Sequence, residues 1–157
     1  MEIYKGHSPK VVLLIEDNPA DASLMREALH DINAPVRLYI SEDGETGLRF
    51  LRREGEHDNA PAPALLLLDL NLPGVGGCEV LRLVRLDANM ARLPIIVLSN
   101  SAAQSDVDAV YDLGGNCYMK KPTDWEDYVA LMKNFEQFWL ETARLPTVAG
   151  HQTHFQG

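Results

Sequence analysis

Three carboxylates stand where two apolar runs of this chain stop. Val11-Val12-Leu13-Leu14-Ile15 leads into Glu16-Asp17, and Ala64-Leu65-Leu66-Leu67-Leu68 leads into Asp69. Continuous aliphatic runs bounded by turn residues are the pattern of strands in a buried parallel sheet. If the two strands are neighbours, all three carboxylates meet at one sheet edge, where open α/β sheets bind ligands. Such a cluster repels itself, so it favours a divalent cation or an incoming electrophile. The chemistry implied is phosphoryl acceptance.

The elements that must position these groups are legible along the chain. Asn18-Pro19 supplies a helix cap and a first-turn proline, and Leu24, Met25, Ala28, Leu29 and Ile32 then share one helical face. Val36 to Ile40 reads as a second strand, and Asp43-Gly44 opens a helix carrying Leu48 and Leu51. Glu54 to Pro63 is predicted to be a solvated loop. After the strand ending at Asp69 come a Pro73-Gly74 turn and a helix with Val80, Leu81 and Val84 inward. Ile95 to Leu98 forms a fourth strand, followed by Ser99-Asn100-Ser101. A helix through Val107, Val110 and Tyr111 stops at Gly114-Gly115. Asn116 to Met119 is the fifth strand, ahead of Lys120-Lys121-Pro122. One last helix is expected from about Thr123 to near Arg144.

Five strands alternating with five helices predict an α/β fold: a doubly wound, five-stranded parallel sheet with helices on both faces. The flavodoxin-like order 2-1-3-4-5 places the first and third strands side by side and so gathers Glu16, Asp17 and Asp69. The chain divides into an N-terminal extension over 1–10, one domain over 11–145 and a short flexible C-terminal tail over 146–157.

Bulk properties narrow the function. The 157 residues are ordinary for one soluble globular domain, with 46% hydrophobic and 24% charged residues. A formal charge of −9 argues against a nucleic-acid partner, which needs a basic face. No apolar stretch approaches a membrane span, and Met1 to Lys10 has no signal-peptide core. Cys78 and Cys117 are isolated, which suggests two small buried thiols in a reduced, cytoplasmic setting.

Four features at successive strand ends now stand together: Glu16-Asp17, Asp69, Ser99 and Lys121-Pro122. Each alone has a plain explanation, as a helix start, a strand end, a turn residue and a solvated lysine pair. All four in order, over roughly Val11 to Leu140, resemble a response-regulator receiver domain. The resemblance implies that Asp69 is the phosphoacceptor, attacking a phosphohistidine. It implies Mg2+ held by Asp17, Asp69 and the Asn71 backbone carbonyl, with Glu16 acting through water. Lys121 would pair with Asp69 and then with a phosphate oxygen, and Ser99 would donate its hydroxyl to another. In receivers the bond matching Lys121-Pro122 is typically cis, aiming the lysine into the site. Tyr118 occupies the switch-aromatic position, its inward rotamer coupled to movement of Ser99. Two positions depart from the pattern: Ser99 stands where many receivers have Thr, and Asn100 where a small residue is usual. Asn71 and Ser101 flank the pocket and are expected to set phosphate lifetime.

A narrower resemblance rests on the loop Glu54 to Pro63, on Asp69-Leu70-Asn71-Leu72-Pro73, on Asn116-Cys117-Tyr118 and on Phe138-Trp139-Leu140-Glu141-Thr142. These are similar to small receiver-only regulators associated with bacterial and cyanobacterial phytochromes. That implies a sensor histidine kinase as partner, a bacterial phytochrome among them. The tail is too short for an output domain, so the receiver surface itself is expected to be the output. The competing reading within this class is a phosphate sink or scaffold without a downstream target. A haloacid-dehalogenase-like phosphatase is disfavoured, because Asn71 replaces the second acid such chemistry wants. A flavodoxin-type FMN protein is disfavoured too, because Glu16 and Asp17 occupy the phosphate-loop position. The chain is therefore read as a phosphoacceptor catalysing its own phosphotransfer and dephosphorylation, not as a turnover enzyme.

The last helix carries more apolar surface than one sheet face needs. Trp125, Tyr128, Val129, Met132, Phe135 and Trp139 form one stripe, whereas Leu131 and Phe138 fall off its centre. Leu140 and Leu145 prolong the apolar character. The surplus predicts a two-fold homodimer through a surface including Tyr118, Leu131 and Phe138. The alternative is that Leu131 and Phe138 fill gaps in an oversized core.

Overall fold

The computed structural model describes residues 8–147. Five parallel strands form one sheet: β1 (Lys10–Ile15), β2 (Val36–Ser41), β3 (Leu65–Asp69), β4 (Ile95–Ser99) and β5 (Cys117–Lys120). Their order is β2-β1-β3-β4-β5, the expected flavodoxin-like order. The helices between and after them are α1 (Pro19–Asp31), α2 (Gly44–Arg52), α3 (Gly77–Leu86), α4 (Gln104–Asp112) and α5 (Trp125–Phe135). A short 3-10 turn, Gly55–His57, lies within the loop before β3. Residues 1–7 and 148–157, with most of the expected extension and tail, fall outside the described residues.

The period-two alternation of strands divides the core cleanly. Val12, Leu14, Leu65, Leu67, Ile96 and Leu98 face α1 and α5, packing with Met25, Ala28, Met132 and Phe135. Leu13, Ile15, Leu66, Leu68, Ile95 and Val97 face the other way, onto Leu48, Val80, Leu81, Val84 and Val110. Both faces of β3 and β4 are buried, which is why their sequences are continuous rather than alternating. Each fully buried Leu, Ile or Val contributes about 1.5–3 kcal/mol of transfer free energy. This core holds the strand ends rigid.

Register then sets the site. Ile15 lies beside Leu68, so Glu16 and Asp69 emerge next to each other at one edge. Asp69 lies beside Leu98, bringing Ser99 just beyond it. Ser99 pairs with Lys120, and the Lys121 amide donates to the Ser99 carbonyl at 2.8 Å. The start of α3 packs close beneath Asp69: a Cβ at Gly77 would stand 2.4 Å from the Asp69 carbonyl oxygen. Only glycine fits there without moving the strand end. Arg85 ties α3 to the next two strands, donating to the carbonyls of Leu93 (2.7 Å) and Gly114 (2.8 Å) and to Asn116 Oδ1 (2.8 Å).

The C-terminal helix departs from the expectation of one regular helix over Thr123 to Arg144. Asp124 caps it, accepting from the Asp127 amide at 2.9 Å, so helix begins only at Trp125. From Glu136 to Thr142 it is π-helical. The Ala143 amide donates to the Phe138 carbonyl at 2.7 Å, and Thr142 Oγ1 donates to the Gln137 carbonyl at 2.8 Å. This spacing brings Glu136 and Glu141 together, and burial with the Glu141 carboxylate beside it pushes Glu136 up to about 7. Trp125 is not part of the inward stripe. It is exposed in the first turn, where little packs over it. Leu131 and Leu145 pack against the core at its rim and Leu140 is buried, whereas Phe138 is 55% exposed. The two thiols are free, and both are half-buried rather than fully buried.

Candidate functional site

Glu16, Asp69, Ser99 and Lys121 are each 4% exposed or less, although each is polar or charged. Asp17 sits at the mouth, exposed. Oxygens of Glu16, Asp17 and Asp69 lie within 4.8 Å of one another. The predicted carboxylate cluster is therefore assembled.

Lys121 enters it from β5. Its Nζ lies 2.6 Å from Glu16 Oε2, 3.0 Å from Asp21 Oδ2 and 3.4 Å from Asp69 Oδ2. Burial alone would lower the lysine's pKa, but the Glu16 and Asp21 carboxylates outweigh it and raise it, so the ammonium stays charged. Glu16 is pushed up to about 7, first by burial and then by Asp69, with Lys121 opposing. The Lys121–Glu16 contact is close but misdirected, and Glu16 Oε2 is buried with no hydrogen-bond donor. Such an oxygen is satisfied by a cation or by water bound to one. The clustered carboxylates of Glu16, Asp17 and Asp69, all offering hard oxygen donors, fit a divalent cation.

The lysine reaches this position without the expected cis bond. No peptide bond among the described residues is cis, so Lys121–Pro122 is trans. The trans form is the cheaper one for X-Pro, by roughly 0.5–1 kcal/mol. Backbone pairing of Lys121 with Ser99 already directs its side chain at the carboxylates.

Around the acid cluster the loops are tied by short contacts. The Asn71 amide donates to Asp69 Oδ1 at 3.1 Å, and the Asn18 amide donates to Glu16 Oε1 at 3.2 Å. Ser99 Oγ accepts from the Ser101 amide at 3.1 Å, and the Ser101 hydroxyl donates to Asp106 at 2.5 Å. Tyr118 donates its hydroxyl to the Ser101 carbonyl at 2.7 Å. Tyr118 and the loop after Ser99 are therefore mechanically joined. Asn100 is exposed beside them.

Asp21 is the residue that sequence reasoning missed. It lies in the first turn of α1, four residues past Asp17 and three past the Asn18 cap. Its partner lies 100 residues away, which no local pattern reveals. A groove of about 1150 Å³, lined by Arg53, Ala64, Met90 and Pro94 among others, contains none of the acid-site residues.

Residues 12–133 match the family model described as response regulator receiver domain. The chain belongs to the response regulator receiver family. This receiver is 41% identical to response regulator Rcp1 of Synechocystis sp. over 142 residues, covering 90% of this chain and 97% of Rcp1. The Mn2+-bound crystal structure of Rcp1 superposes with a TM-score of 0.82 at 42% identity, covering 88% of this chain and all of that one. The phosphorylated cyanobacterial phytochrome response regulator RcpA superposes at 0.83 and 42% identity, covering 88% of this chain and 99% of RcpA. A receiver of this family works with a histidine kinase. No helix among the described residues is long and apolar enough to cross a membrane.

Proposed function

We propose that this receiver, over residues 11–145, takes a phosphoryl group from a histidine kinase onto Asp69 and signals through its own surface. The observation that carries the reading is the convergence of Glu16, Asp69, Ser99 and Lys121 at four adjacent strand ends, nearly closed to solvent. A carboxylate oxygen of Asp69 attacks phosphorus, a P–O bond forms and the P–N bond to the kinase imidazole breaks. The leaving imidazole takes up a proton. Lys121 and Ser99 supply an ammonium and a hydroxyl to the charge that develops on the phosphoryl oxygens. Asp17, Asp69 and the Asn71 carbonyl would hold Mg2+, with Glu16 acting through a bound water. When bound, the cation neutralises the approach of an anionic donor. The same residues, reached by water, release the phosphate again.

Tyr118 reads the outcome. Its hydrogen bond to the loop after Ser99 supports a switch in which movement of Ser99 toward phosphate repositions the tyrosine and the surface between α4 and α5. Likeness to Rcp1 and RcpA supports a phytochrome as the kinase, working in the cytoplasm where its ATP is. Phosphotransfer from a panel of purified histidine kinases tests this partner. A phytochrome is expected to label the protein at least about tenfold faster than the other kinases. Equal rates across the panel would remove the phytochrome from the reading.

A homodimer through Tyr118, Leu131 and Phe138 belongs to the same proposal. Phe138 supports it best: the ring is half in solvent and meets Trp139 edge-on at 5.1 Å. Large apolar rings held in that state are enriched at interfaces. Light scattering at micromolar concentration is expected to give the mass of two chains. Phe138→Glu is expected to weaken association at least about tenfold. A monomeric wild type, or a variant that pairs equally well, sinks the dimer.

A further inference from the structure

We propose that Asp21 is a positioning residue for phosphoryl transfer, one that holds the Lys121 ammonium back from Asp69 until a phosphoryl group draws it in. This rests on the reading of Asp69 as phosphoacceptor. Among the described residues, the one well-directed hydrogen bond from Lys121 Nζ goes to Asp21 Oδ2, at 3.0 Å. Asp69 Oδ2 lies at 3.4 Å, just past the usual N–H···O range. The ammonium is thus inside the site but committed elsewhere.

Asp21 is well placed to compete. It stands apart from the three carboxylates that cluster at the strand ends, so its bond to Lys121 is no part of a cation cage. Its backbone is fixed, since α1 starts at Pro19 and Asn18 Oδ1 accepts from the amides of Ala20 and Asp21. The pair is shielded as well: Lys121 is 4% exposed, and Tyr128 beside it is 2% exposed. The Tyr128 hydroxyl is pushed up by burial first and by the Asp21 charge next.

The consequence follows from which state the bond favours. An ammonium is a compact charge on a flexible stem and can move by about an ångström without refolding. To reach a phosphoryl oxygen on Asp69 it must give up Asp21. An interaction present in the ground state and lost in the transition state slows the step. Removing the Asp21 carboxylate therefore speeds phosphorylation, by roughly five- to tenfold for a partly buried charged hydrogen bond.

The test is the labelling rate with acetyl phosphate and Mg2+ for wild type, Asp21→Asn, Asp21→Ala and Asp21→Glu, each repeated in a Lys121→Met background. Asp21→Asn and Asp21→Ala are expected to label faster, and Asp21→Glu to return close to the wild-type rate. In the Lys121→Met background the Asp21 substitutions are expected to change nothing, because Asp21 acts through the lysine. Acceleration that persists there would mean a general loss of negative charge and would overturn the proposal. Unchanged rates in a wild type that is labelled would overturn it too, leaving the Asp69 reading intact. A wild type that takes no label sinks both. The Lys121 ammonium resonance gives a readout that needs neither labelling nor the second background. Its protons should exchange slowly in wild type and faster in Asp21→Ala, and equal protection would also refute the role.

Discussion

Asp69→Asn is expected to abolish labelling by kinase and by small phosphodonor alike, a loss of at least roughly a thousandfold. The amide keeps an oxygen for the Asn71 amide that now donates to Asp69 Oδ1, so the loop after β3 keeps its anchor. It is no nucleophile toward phosphorus. Neither Glu16 nor Asp17 can substitute: Glu16 is pinned against Lys121, and Asp17 lies at the mouth. The fold should be unharmed and even favoured, since Asp69 is one of the causes that push Glu16 up to about 7. Removing one of two crowded carboxylates relieves a repulsion of about 1 kcal/mol. The check pairs radiolabel incorporation with thermal melting. Retained label in a folded Asp69→Asn protein would refute the assignment.

Stripping divalent cations is the second large effect. Excess chelator is expected to lower labelling by at least about a hundredfold, with recovery on adding Mg2+ or Mn2+. Without a cation, Glu16, Asp17, Asp21 and Asp69 face an anionic donor with one ammonium between them. That ammonium is already shared among three carboxylates. Labelling that proceeds unchanged in chelator would count against Asp17 and Glu16 as the residues that hold the ion.

The parts of this molecule that were legible in the sequence are those governed by local rules. Four leucines in a row before Asp69 mean a strand buried on both faces, and Asn18-Pro19 means a capped helix start. Alternation gave the parallel sheet, the flavodoxin-like choice gave its order, and the carboxylate cluster followed from that order. What escaped depends on contacts distant in sequence or on small differences in energy. Nothing near Asp21 announces Lys121. The Lys121–Pro122 bond is decided by less than a few kcal/mol, and strand pairing past Lys120 already aims the side chain. Trp125 joins the apolar stripe by helical spacing alone, whereas the Asp124 cap makes it the first residue of the helix, in an exposed first turn. The change to π geometry at Glu136 has no local marker, because the residues over Glu136–Thr142 suit an α-helix equally well.

That turn of π-helix can be understood as an insertion. In an α-helix Phe135 would be followed inward by the residue four later, Trp139, yet here the buried position falls to Leu140, five later. Taking out any one residue from Gln137 to Trp139 would restore ordinary spacing and leave Leu140 where it is, over the same core. Leu140 thus keeps its inward place, and the bulge lies at the paired rings of Phe138, which is exposed, and Trp139, which packs at the rim of the core. Chain length becomes a means of changing the outer face while Leu140 stays inside. Lineages that differ by a single codon here would share one interior and present different surfaces to their partners.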